Sequence, residues 1–112
     1  MDGIDVSYPG KGTAVVALHE EHDVVTSTEM EELLLHEVSR NTLVVVDVSE
    51  AVFIDSSFLH NLIRADRSAK ERGSHLVLQM GTAHVVRRAL EISGLLDHLD
   101  VAHTRAAAIS RA

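Results

Sequence analysis

A chain of 112 residues, 46% of them hydrophobic, is long enough for one core and too short for two, so a single domain over residues 1–112 is expected. The absence of cysteine excludes disulfides, thiolate nucleophiles and cysteine-ligated zinc. A formal charge of −7 repels phosphate backbones and anionic lipid heads, so neither nucleic acid nor a membrane is expected as a direct partner.

The first residues carry no basic stretch leading into an apolar one, and apolar runs such as 43–46 are far too short to span a bilayer. A cytoplasmic location is therefore expected. Residues 4–8 predict a first strand, and Pro9, Gly10, Lys11 and Gly12 a turn. The β-rich run 13–18 predicts a second strand. A helix then starts near Thr26, which has capping-box spacing to Glu29; Thr28 with Glu31 offers a second register. Met30, Leu33, Leu34 and Val38 form its apolar stripe, and Glu29, Glu32 and His36 fall on the solvent side. Arg40 and Asn41 close it, with asparagine tolerating the left-handed conformation.

The run 43–48 is the most hydrophobic in the chain and does not alternate, as befits a central strand covered on both faces. Residues 52–54 form a short extended piece, and Asp55, Ser56 and Ser57 open a second helix. Its apolar positions are Leu59, Leu62, Ile63 and Ala69, and Gly73 stops it. Residues 75–80 predict a strand. Gly81 and Thr82 lead into a helix carrying Val85, Val86, Ala89, Leu90 and Ile92, with Gly94 as its cap. A last short strand lies within 95–101, and the alanine-rich segment 104–112 predicts a C-terminal helix. Strands alternating with helices imply an α/β fold with a mixed, mostly parallel sheet of about four to five strands and about four helices. The first two strands, joined by a tight turn, suit an antiparallel pair.

His19, Glu20, Glu21, His22 and Asp23 resemble a metal cluster, but residues three apart on an emerging strand point to opposite faces, so no metal is expected. Ser56 lacks the Gly-x-Ser-x-Gly elbow of a hydrolase, and the chain has no glycine-rich phosphate loop. No catalytic centre and no cofactor are expected. Arg64, Arg67, Lys70 and Arg72 are interrupted by Asp66 and Glu71, which reads as a solvated helix face.

From Asp47, Val48 and Ser49 through Asp55, Ser56 and Ser57 the chain resembles the STAS family of sulfate-transporter and anti-sigma antagonist domains. Glu21, His22 and Asp23 resemble that family's acidic element after the second strand. The segment 85–95, ending in Ser93, Gly94 and Leu95, resembles its late helix. The three elements keep the family's order and spacing over about 15–101. Two family glycines are replaced by Phe58 and His60, and Glu20 stands where a glycine usually precedes the acidic pair.

The resemblance implies a STAS fold and a non-enzymatic, protein-binding role as an anti-sigma factor antagonist. Its partner would be an anti-sigma factor with serine-kinase activity, bound by the unphosphorylated form and released on phosphorylation of Ser56, with Ser57 as the alternative acceptor; a phosphatase would reset the switch. Asp23, Asp55, Ser57, Phe58 and His60 are the implied partner-contact residues. Asp55 either positions the serine hydroxyl or caps the helix, and Asp23 either contacts the partner or caps the preceding helix. Phe58 blocks the kinase, selects a different one or provides a new hydrophobic anchor. An alternative is an unphosphorylated docking subunit of a lipid-transport ATPase complex, with Phe58 as the aromatic anchor.

Overall fold

The computed structural model describes residues 3–19, 24–51, 56–81, 84–94 and 97–111. Among them, five strands form one sheet in the order β1-β2-β3-β4-β5: β1 (Ile4–Gly10), β2 (Thr13–Leu18), β3 (Leu43–Asp47), β4 (His75–Gln79) and β5 (Asp100–Ala102). Four helices accompany them: α1 (Val24–Arg40), α2 (Ser56–Arg72), α3 (His84–Ser93) and α4 (Arg105–Ile109). The α/β class and the mixed sheet match the expectation.

β1 pairs antiparallel with β2, and every later pairing is parallel. Lys11 and Gly12 make the hairpin turn, with Gly12 at φ +78°. β1 runs past its expected end at Tyr8, through Pro9 to Gly10. A proline is tolerated there because β1 is an edge strand, and the pairing register shifts between Ser7 and Gly10.

Each crossover from β2 onward advances one strand in the same direction. With right-handed connections, that topology places the three crossover helices on one face of the sheet. Packing agrees. Val16, Val44, Val46, Leu76 and Leu78 share a core with Met30, Leu34 and Val38 of α1, Phe58, Leu62, Ala65 and Ala69 of α2, and Leu90 of α3. The alternate side chains Val15, Leu43, Val45 and Val77 face the other way, against Ala108 of α4. β3 lacks alternation because both of its faces are covered.

Three local expectations needed correction. Asn41 is not left-handed, since no non-glycine among the described residues has positive φ. Instead, its backbone N–H and its Nδ2 both donate to the Glu37 carbonyl, at 3.0 and 2.9 Å, closing the last turn of α1. The buried stripe of α2 is Phe58, Asn61, Leu62, Ala65 and Ala69, with Leu59 and Ile63 only partly buried at its margins. On α3, Leu90 is buried but Ile92 is 77% exposed; the side chains of Val85 and Val86, like the expected extended piece 52–54, lie outside the described residues.

The last strand begins at Asp100, at the C-terminal end of the stretch expected to hold it. α4 is shorter than 104–112 and is capped by Thr104, whose hydroxyl accepts from the Ala107 N–H at 3.1 Å. Among the described residues, no helix is long and apolar enough to cross a membrane.

Candidate functional site

β2, β3 and β4 run parallel, so the helices that follow them all start at the sheet's C-terminal edge, where open α/β sheets place their binding sites. α2 starts there with Ser56, whose side chain is exposed, followed by the half-buried Ser57. A helix N-terminus presents unpaired N–H groups and the positive end of its dipole. An anion attached at this serine therefore meets a favourable field without rearrangement of the fold.

The end of β3 and the residues just after it, 47–50, are held from several sides. Asp47 is buried at the end of β3; its Oδ1 accepts from the Ser49 N–H at 2.9 Å and the Ser49 Oγ–H at 2.6 Å. Its Oδ2 accepts from Arg105 at 2.8 Å, tying α4 to the same point. The Val48 N–H donates to the Gln79 carbonyl at 2.9 Å. From the next loop Gly81 presses on Ser49 so closely that a Cβ at Gly81 would come within 2.8 Å of the Ser49 Cβ.

Further along, Glu50 meets His19, which sits just past β2. His19 Nδ1 is 2.6 Å from Glu50 Oε2, and its Nε2 is 2.7 Å from Asp5 Oδ2 on β1. With a carboxylate on each ring nitrogen, the doubly protonated ring satisfies both contacts at once. The Glu50 hydrogen bond, then that to Asp5, raises the His19 pKa above its ordinary value. His19 is thus a bridge between the hairpin and the stretch that follows β3. Among the described residues no cluster of histidines and carboxylates could hold a metal ion; His22 lies outside them.

Phe58 differs most from the expectation. It is 0% exposed and lies in the core beneath α2, so it neither blocks a kinase nor anchors a partner at the surface. Two residues turn an α-helix by about 200°, which sends Phe58 inward when Ser56 faces outward. His60 is exposed and Ser57 lies beside it, lining with Asn61, Arg64 and Glu31 a cavity of about 170 Å³. Arg64 bridges to Glu31 of α1 at 2.6 Å. Asp23 and Asp55 lie outside the described residues.

Residues 9–104 match the family model described as "Mlab, STAS domain". The chain belongs to the STAS domain family. No curated protein gives a sequence match. Among solved structures, this STAS domain is similar to the anti-sigma factor antagonist SpoIIAA in its unphosphorylated form, with TM-score 0.82 and 20% identity over 96% of this chain and 94% of that one. An anti-sigma factor antagonist from Mycobacterium paratuberculosis aligns with TM-score 0.78 and 26% identity over 96% and 91% of the two chains. A sulfate transporter family protein from Wolinella succinogenes aligns with TM-score 0.78 and 17% identity over 94% and 88%.

Within this STAS domain, Ser56, Ser57 and His60 come together at the start of α2, as their sequence spacing implies. His19, Asp47 and Arg105 were not legible as parts of the same edge. Their partners lie 14, 31 and 58 positions away, and only the assembled sheet brings them together.

Proposed function

We propose that this STAS domain is an anti-sigma factor antagonist, a cytoplasmic binding module without catalytic activity, whose affinity is switched by phosphorylation of Ser56. The observation that carries this reading is the exposed Ser56 at the first position of a 17-residue helix, at the sheet edge where Ser49 and Glu50 are held by Asp47, His19 and Gly81. A kinase needs an accessible hydroxyl on a defined backbone, and Ser56 offers both. Ser57 is half-buried and is the poorer acceptor. The structural neighbour SpoIIAA is described in an unphosphorylated form, which fits a class of proteins that carries the modification.

The unphosphorylated protein binds the anti-sigma factor, and a serine kinase activity of that partner ends the complex. Phosphate adds about −1.5 to −2 charges at pH 7, and an uncompensated charge at an interface is enough to turn a tight complex into a weak one. A phosphatase restores the binding form.

Intact-mass measurement and peptide mapping of protein from native cells test this. A single phosphate on Ser56, absent in Ser56→Ala, supports the switch; an unmodified protein under all growth and stress conditions removes it. The similarity to a sulfate transporter family protein keeps a second reading, a docking subunit of a transport complex. Copurification with a transport ATPase in place of an anti-sigma factor would establish that reading, with contacts other than the buried Phe58.

A further inference from the structure

β1 is an edge strand, so one side of its backbone has no strand beside it. The His19 N–H donates to the Gly3 carbonyl at 2.8 Å, and the pairing continues as Ile4 with Leu18 and Val6 with Val16. Hydrogen-bonded pairs alternate along an antiparallel ladder, so Gly3, Asp5 and Ser7 turn their backbone groups to β2, and those of Ile4 and Val6 point outward. The side chains of Ile4, Val6 and Tyr8 share the helix-covered face: Ile4 enters the core, and the Tyr8 hydroxyl donates to the buried Glu37 of α1 at 2.8 Å. Val6 and Tyr8 are, with Ile92 of α3, the large hydrophobic side chains left exposed among the described residues.

α1 borders the same edge with a charged row. Glu31 pairs with Arg64 of α2, and two residues turn a helix by about 200°, so Glu29 and Leu33 lie on the side away from α2. His36 and Arg40 continue that side, giving i, i+4, i+7 and i+11 spacing from Glu29. Between the row and the strand lies a cavity of about 460 Å³ lined by Tyr8, His36, Glu37, Arg40 and Asn41. Glu29 and Arg40 are exposed and form no ion pair among the described residues. The row is thus acidic at its start and basic at its end.

We infer that this edge is the interface with a second copy of the chain, related by a two-fold axis through Val6. Antiparallel pairing of the two β1 edges joins Val6 to the partner's Val6 and Ile4 to the partner's Tyr8, so the outward backbone groups gain acceptors and donors and the exposed apolar side chains cover each other. Asp5 then stands opposite the partner's Ser7, and no two like charges meet on the ladder. Pro9, which has no N–H to donate, ends it. The same axis sets α1 antiparallel to its copy, with Glu29 against the partner's Arg40, twice, and Leu33 against the partner's His36. The two layers agree in register. β1 and α1 run in the same direction, and the Tyr8 hydroxyl marks Glu37 as its level on the helix. Val6 lies about 7 Å back along β1, the length of about four to five helical residues, which reaches Leu33. The midpoint between Glu29 and Arg40 falls within about 3 Å of that level. Such a dimer closes on itself and leaves the start of α2, on the other side of α1, open. Phosphorylation of Ser56 plays no part in it.

Sedimentation equilibrium of the full chain from micromolar to millimolar concentration tests this, together with hydrogen exchange at the Ile4 and Val6 amides. The wild type is expected to pass from monomer to dimer, with exchange at those two amides slowing as the dimer forms. Glu29→Arg and Arg40→Glu each bring like charges together twice and are expected to weaken the dimer on the order of tenfold, while the double variant Glu29→Arg/Arg40→Glu restores it. Circular dichroism checks that the variants fold, and the exchange measurement needs no substitution. A chain that stays monomeric throughout overturns the inference. So does a dimer that ignores the charge reversals and whose β1 amides exchange as in the monomer, because it uses another surface. Protection of the β1 amides only on adding a purified anti-sigma factor would give the edge to that partner instead.

Discussion

Ser56 and Phe58 stand two residues apart on α2 and face opposite ways: the serine is exposed and the phenylalanine is 0% exposed. The proposed phosphoacceptor and a core side chain thus lie on the two sides of one helical turn, and they can be perturbed separately. Phe58→Ala should destabilise the fold by about 3–5 kcal/mol, the cost of emptying a large aromatic site in a core. Ser56→Ala should change stability by no more than about 0.5 kcal/mol, as surface substitutions do, while abolishing phosphorylation. Urea unfolding of both variants checks this. A Phe58→Ala protein of wild-type stability would contradict the packing described.

The bridge from Asp5 through His19 to Glu50 makes stability pH-dependent at the edge of the site. The folded pKa of His19 is raised above the unfolded value of about 6.5. The group therefore contributes stability that is fully present below that value and is lost as pH rises through the folded pKa. Wild type minus His19→Gln should show a stability difference that shrinks as pH increases from about 6 upward. Chemical denaturation across that range measures it, and hydrogen exchange at residues 49–51 should quicken over the same interval. A difference independent of pH would mean that the ring is not protonated between its two carboxylates.

Asp47 holds three donors on two oxygens, so its removal strands more than one partner. Asp47→Ala should cost about 1–3 kcal/mol, because the Ser49 N–H loses its acceptor at a half-buried position. Arg105→Ala should cost about 1 kcal/mol or less, because its side chain is half exposed and its pair with Asp47 is partly screened. Equal losses for the two variants would show that the Asp47–Ser49 turn adds nothing beyond the Arg105 contact.

Two glycines with similar backbones separate strain from crowding. Gly73 has φ +75° and open space around it, whereas Gly81 has φ +57° and would place a Cβ 2.8 Å from the Ser49 Cβ. Gly73→Ala should cost about 1–2 kcal/mol, the penalty for a left-handed alanine. Gly81→Ala should cost a further ~1–3 kcal/mol from overpacking against the loop that leads to Ser56. Thermal unfolding ranks the pair, and a smaller effect at Gly81 would overturn the close approach.

The order and kind of the elements were set by local sequence. β3 could be read as a doubly covered strand from its unbroken LVVVD, and the opening hairpin from Gly10 and Gly12. Ser56 could be placed at a helix start from Asp55, Ser56 and Ser57. Period, propensity and glycine punctuation act over a few residues, so a single sequence carries them. The rotation of α2 about its axis was a different matter. Leu62 and Ala69 turn inward and Arg64 and Arg67 outward as the sequence implied, but Leu59 and Ile63 are as apolar as Leu62, and only packing against α1 and the sheet decided that Phe58 and Ala65 turn inward in their place. His19 between Asp5 and Glu50, and Arg105 on Asp47, likewise depended on the sheet, because opposite charges attract at distances that only the assembled strand ends create.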